Sequence, residues 1–189
     1  MRGPVPPEPQ NPVAAGRVVV VCVGNDLVAD DAVGYEVFRR LADSPLPPDV
    51  TLHYAAVAGI ALLDYLTDED SAMIVVDAVQ FGAPTGTIHN LRWDELPDFG
   101  AGAISAHFIG LKETMDIGRL LYPERLPSTV TLMGIEGRCF DQTRDAMSPE
   151  VAAAIDPAVA CIQEHLKKMQ FNHGVTESTE KSERKPFLR

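Results

Sequence analysis

A chain of 189 residues with 46% hydrophobic content is long enough to bury one full core and fits a single globular domain flanked by tails. Its 16 basic and 27 acidic residues give a net charge of -11, which argues against nucleic acid or an anionic membrane surface as the main partner. Three cysteines, an odd number with no CxxC pair, suggest neither a disulfide framework nor a zinc knuckle, so a reducing cytoplasm is the expected compartment.

Residues 1–16 read as a disordered, Pro-rich leader with no apolar segment that could act as a secretory signal or membrane anchor. The folded domain is expected over 17–169 and a disordered tail over 170–189. From Lys167 onward the chain holds six basic and three acidic residues. The preceding 10 basic and 24 acidic residues leave the body at -14. Such a surface favours solubility and would also suit a cationic partner.

The folded part opens on Val18–Val23, an apolar run without alternation, as expected for a strand buried on both faces of a parallel sheet. Gly24 and Asn25 end it, and Asp30 and Asp31 precede a helix whose apolar positions include Val33, Val37, Phe38 and Leu41. One aspartate can cap that helix, and the pair is more than a cap needs. Val50–Val57 alternates as a second strand, and Gly59–Leu66 reads as a helix. Ala72–Val76 is a third buried strand ending on Asp77, so that a carboxylate arrives at the carboxyl edge where α/β sheets place their ligands. Thr87–Trp93 has the alternation of an edge strand, followed by a loop over Asp94–Ala103. A helix is expected over Ser105–Leu121 with His107 in its first turn, then a fifth strand over Thr129–Ile135. The last helix starts at Ser148-Pro149-Glu150 and is expected to reach Met169, bent or divided at Pro157. Strands alternate with helical segments throughout. The fold class is therefore α/β, a three-layer α/β/α sandwich around a twisted, mostly parallel five-stranded sheet.

Three polar groups fall where such a sheet places a site: Asp30 or Asp31, Asp77 and His107. Two carboxylates and an imidazole make a coherent ligand set for a divalent transition metal with positions left open. The same aspartates also suit a helix cap and a structural strand end, and residue chemistry by itself favours these structural roles. His53 and His89 lie inside expected strands, and His165 and His173 lie late in the last helix and the tail; all four read as structural or surface residues. Cys22 reads as a small buried hydrophobe, and Cys139 has no histidine near it in sequence. Neither GxGxxG nor GxxxxGK[ST] occurs, which counts against a dinucleotide or NTP site. A phosphoacceptor receiver-like signalling domain fits poorly. Asp30 lies six residues beyond Gly24, and Met133-Gly134-Ile135 lacks the lysine such a domain needs.

Taken together, several segments resemble the hydrogenase maturation protease family, nickel-dependent endopeptidases that process the C-terminus of the hydrogenase large subunit. The segment Gly24-Asn25-Asp26-Leu27-Val28-Ala29-Asp30-Asp31-Ala32-Val33-Gly34 is similar to the family's opening motif, which makes Asp31 a metal ligand. Ile74-Val75-Val76-Asp77-Ala78 resembles its second motif, with Asp77 as ligand, and Ile104-Ser105-Ala106-His107-Phe108-Ile109-Gly110-Leu111 its third, with His107 as ligand. Thr131–Glu136 and Met147–Val151 resemble its late strand and final-helix start. The likeness covers roughly residues 17–168, with order and spacing kept.

The resemblance implies a phosphorylase/hydrolase-like fold and a catalytic and metal-binding set of Asp31, Asp77 and His107. It also implies nickel supplied by the substrate and a hydrogenase large-subunit precursor as partner, with Asp30 left to cap the helix or orient Asp31. A monomer is expected. Where many members carry an Asp-Gly-Gly segment after strand two, this chain reads Tyr54-Ala55-Ala56-Val57-Ala58-Gly59. That difference keeps a non-cleaving precursor-binding factor open as the alternative.

Overall fold

The computed structural model describes residues 16–56, 59–96 and 109–183. Five strands form one sheet: β1 Arg17–Val23, β2 Val50–Ala55, β3 Asp70–Val79, β4 Ile88–Arg92 and β5 Thr129–Glu136, in the order β2-β1-β3-β5-β4. β1, β2, β3 and β5 run parallel, and β4 joins β5 antiparallel at the edge. Among the described residues three α-helices accompany them: α1 Val33–Ala42, α2 Ile109–Leu121 and α3 Pro149–Glu183.

The unbroken apolar runs of β1, β3 and β5 have a simple cause, since each is covered on both faces. Val18, Val20 and Cys22 point into one core with Ile74, Val76, Met133 and Ile135, roofed by Val33, Val37 and Leu41 of α1 and Ile155, Ala158 and Ile162 of α3. Val19, Val21 and Val23 point the other way with Met73, Val75 and Leu132, under Leu62, Leu63, Leu66 and α2's Met115. Helical segments on both sides of one sheet make the three-layer α/β/α sandwich expected from the sequence.

Three details differ from that expectation. Gly59–Tyr65 is a 3-10 segment rather than an α-helix. Its threefold repeat keeps Leu63 and the following Leu66 stacked toward the core. β3 continues two residues past Asp77 to Val79, because β5 pairs with it through Val79↔Glu136. α3 passes through Pro157 undivided and continues to Glu183, beyond the expected end at Met169. Pro157 and Ala153, whose carbonyl loses its helical donor, both lie on the exposed face, where water can satisfy that carbonyl.

The order β2-β1-β3 decides where a site can lie. From β1 the chain first crosses to β2 on one side, and it returns to β3 on the other. The crevice at the carboxyl ends of β1 and β3 is therefore the topological switch point of the sheet.

Candidate active site

The turn after β1 is built for close approach. Gly24 has φ +141°, and a Cβ there would strike the Asp31 carbonyl oxygen; a Cβ on Gly34 would strike the Val23 carbonyl oxygen. Two glycines thus let the turn and the start of α1 press against the end of β1. Asn25 Oδ1 accepts the Leu27 N–H at 3.0 Å, and Val28 N–H donates to the Asn25 carbonyl at 3.0 Å, which closes the turn locally. The Tyr54 hydroxyl donates to the Gly24 carbonyl at 2.8 Å. Burial and the nearby Asp26 carboxylate push its phenol pKa up, so the donor keeps its proton.

Asp30 and Asp31 lie on the 3-10 turn Asp30–Ala32, which contacts β3, and both are buried, at 0% and 4% exposure. Their roles separate cleanly. Asp31 Oδ2 accepts the Asn25 N–H at 3.0 Å. Asp30 does not cap α1, the first of the two roles expected for it, since no side-chain cap hydrogen bond forms at either the 3-10 turn or α1. Its carboxylate instead reaches across to the β5–α3 connection. Oδ2 accepts the N–H groups of Arg138 and Cys139 at 2.8 Å each and the Ser148 hydroxyl at 2.9 Å, and Oδ1 accepts the Ser148 N–H at 2.6 Å. Burial by itself would raise the Asp30 pKa, but the three backbone donors and the Ser148 hydroxyl outweigh it and hold the carboxyl below its usual range.

The two turns are also joined along their backbones. Ala29 N–H donates to Gln142, Asp30 N–H to Cys139, and Arg144 N–H to Leu27, at 2.9–3.0 Å, with a bridge between Val28 and Thr143. The position of Asp31 is therefore fixed from β1, from α1 and from a segment more than a hundred residues later.

Asp77 is 2% exposed and sits on β3 opposite Gly134 of β5, one residue past the last β1–β3 pair, Cys22↔Val76. Its Oδ1 accepts the Ala78 N–H at 2.8 Å. Strand alternation puts it on the same face as Val75 and Val79, toward the α2 layer. Asp31 in the loop after β1 and Asp77 near the end of β3 thus both lie at the carboxyl edge of the sheet, two buried carboxylates on elements that touch. His107 lies outside the described residues. α2 leads into β5, whose first residues pair beside Ala72 at the amino edge of β3, so the helix starts toward the carboxyl edge that holds Asp77. Among the described residues no three ligating side chains gather into a complete metal site. Two oxygen donors in a crevice suit a hard or borderline divalent cation that brings its remaining ligands with it.

Sequence reasoning passed over another buried carboxylate. Glu136, the last residue of β5, is 3% exposed and accepts the Phe81 and Gly82 N–H groups at 3.1 and 2.8 Å. It also shares a 3.0 Å hydrogen bond with His89 Nε2. The reading of His89 as a structural strand residue therefore gains a definite partner. The available signal was an acidic residue closing an apolar run, TVTLMGIE, as Asp77 closes AMIVVD. Glu136 pins the segment that follows β3 beside the crevice.

Comparison with known proteins shows the family and the fold. The family model described as Hydrogenase maturation protease matches residues 35–165, a span that contains Asp77 and His107 and begins just after Asp31. The hydrogenase expression/formation protein HupD of Rhodobacter capsulatus is 36% identical over 146 residues, 76% of this chain and 68% of HupD. The hydrogenase 2 maturation protease of Escherichia coli K12 is 30% identical over 155 residues, 80% of this chain and 92% of that protein. The structure of the E. coli hydrogenase maturating endopeptidase HybD superposes with a TM-score of 0.71 at 28% identity, covering 81% of this chain and 93% of HybD. HybD from Thermococcus kodakarensis, at 21% identity and a TM-score of 0.63, shares the fold; the match covers 79% of this chain and 99% of that one. The chain belongs to the hydrogenase maturation protease family.

Proposed function

We propose that this protein is an endopeptidase that removes the C-terminal extension of a nickel–iron hydrogenase large-subunit precursor after nickel insertion. The observation that supports the reading is the pair of buried carboxylates, Asp31 and Asp77, at the carboxyl edge of β1 and β3, where the strand order switches. With the imidazole of His107 they form a ligand set of two hard oxygens and one nitrogen, modest for a resident metal and well suited to an ion that arrives in the substrate with its own ligands. Nickel is then part of what is recognised. The protein reads completed assembly by binding the ion, and the ion supplies Lewis-acid chemistry at the scissile carbonyl or at an attacking water. Asp30 and Glu136 hold the two sides of the crevice in place without touching the ion, through the backbone donors they bind.

The test is direct. The protein is incubated with nickel-loaded and with nickel-free precursor, and the precursor C-terminus is followed by mass spectrometry. Loss of the extension from the loaded form only is expected. Stable binding of the loaded form with its C-terminus intact would instead establish the non-cleaving factor suggested by the absence of an acid at Tyr54-Ala55-Ala56.

A further inference from the structure

The large apolar side chains that stand exposed among the described residues fall into two groups. Ile117, Leu120, Leu121 and Tyr122 belong to the later part of α2 and the residue after it, toward the amino edge of the sheet and away from the crevice. Leu27 and Ile60 belong to the loops that leave β1 and β2 at the carboxyl edge, and they are 72% and 61% exposed. Those two loops start side by side, because Val23 pairs with Ala55 and Gly24 N–H donates to the Ala55 carbonyl at 3.2 Å.

A single exposed leucine means little on a protein surface. Leu27 differs because its backbone is held from both sides. Its N–H donates to Asn25 Oδ1 and its carbonyl accepts the Arg144 N–H, each at 3.0 Å, and the next residue bridges to Thr143. A turn fixed this firmly could have pointed the side chain inward, as it does for Ala29, Asp30 and Asp31, which are all buried. It holds the leucine out in water, four residues before the proposed ligand Asp31. Both exposed side chains thus belong to loops that leave the carboxyl edge of the sheet, the edge that also carries Asp31 and Asp77.

We infer that Leu27 and Ile60 are specificity-determining residues that grip an apolar side chain of the precursor next to the bond to be cut. This rests on the protease reading above and adds to it the chemistry of the polypeptide around the ion. An ion held by carboxylates fixes one point of the substrate; a second, apolar anchor beside it fixes the direction in which the chain crosses the site, and cleavage at one bond requires both. Anchors of this kind act by burial, and rigid presentation lowers the cost of ordering them.

The experiment uses the full-length protein with nickel-loaded precursor and the variants Leu27→Ser, Ile60→Ser, the double variant and Leu27→Met. KM and kcat for processing and, separately, Kd for the precursor are measured. Each serine variant is expected to raise KM and Kd about tenfold, and the double variant more, with kcat at saturation within about twofold of wild type. Leu27→Met is expected to behave as wild type, with superimposable thermal unfolding for all four. Wild-type KM and Kd in the double variant would overturn the inference while leaving the protease reading intact. If wild type binds the loaded precursor without cutting it, the protease reading fails and the Kd series still decides the role of Leu27 and Ile60. If it neither binds nor cuts, both fall together.

Discussion

Asp30→Asn separates the two neighbouring aspartates by experiment. The wild-type carboxylate is fully buried and accepts four hydrogen bonds, three on Oδ2 and one on Oδ1. Asparagine has one carbonyl oxygen and one NH₂ group. With its oxygen at the Oδ2 position it keeps the Arg138, Cys139 and Ser148 hydroxyl donors but aims its NH₂ at the Ser148 N–H, where the wild-type contact is 2.6 Å. The opposite flip sets the NH₂ against two backbone donors.

One buried donor left unsatisfied costs about 1–3 kcal/mol, and the bonds that survive lose their charge assistance. The expected destabilisation is about 2–4 kcal/mol at pH 7, read as a fall in the urea midpoint with an unchanged slope. The pH dependence follows from the direction of the shift. Because the folded pKa lies below its ordinary value of 3.8, the stabilisation is complete above that value and is lost as pH falls through the folded pKa. The gap between wild type and variant should therefore be constant from pH 7 to 5 and narrow below about pH 4. A loss under about 1 kcal/mol at pH 7, or a gap that widens in acid, would refute the assignment of Asp30 as the brace between the two turns.

Further outcomes follow from the same structure. Asp31→Ala, Asp77→Ala and His107→Ala should each abolish precursor processing while far-UV circular dichroism stays that of wild type; wild-type turnover in all three would place the site elsewhere. Gly34→Ala sets a methyl group against the Val23 carbonyl oxygen, so it should cost about 3 kcal/mol or more in urea unfolding, and a change under about 1 kcal/mol would show that α1 can shift freely. His165 has its pKa held below 6.5, first by burial and then by Lys168, so its neutral form is favoured in the folded state. Its contribution is complete above pH 6.5 and is lost as pH falls below that value. His165→Gln should therefore lose less melting temperature than wild type between pH 7.5 and about 5.5, and parallel losses would exclude the effect. Cys22 is fully buried and its thiol pKa is pushed far up by burial, so it should resist alkylation until the protein unfolds, whereas prompt labelling would show that β1 is accessible.

The three-layer fold was legible in the sequence because burial on both faces leaves a direct mark. The runs VVVVCV, AMIVV and TVTLM contain almost no polar residues, and a strand that is apolar on both faces needs a packed layer against each. Asp77 could be placed near a carboxyl edge on the same grounds, as the first charge after such a run. Further features were hidden because their cause lies far away in the chain. The two additional residues of β3 exist through pairing with β5, and Pro157 remains inside one helix because packing by its neighbours orients it toward solvent.

The sequence by itself determined the sheet's buried strands, the glycine-bounded acidic turn and the identity of the residues that resemble a metal-reading set, since each depends on short-range pattern and composition. Only the tertiary structure decided what each acid does. Asp30 looked like a cap for the helix beside it, and the fold instead commits it to Arg138, Cys139 and Ser148. Glu136 looked like a strand end, and it binds the segment after β3 together with His89. The reason is physical: a buried carboxylate goes to whichever donors the folded chain brings within hydrogen-bond reach, and the backbone donors of Phe81 and Arg138 come from more than fifty positions away.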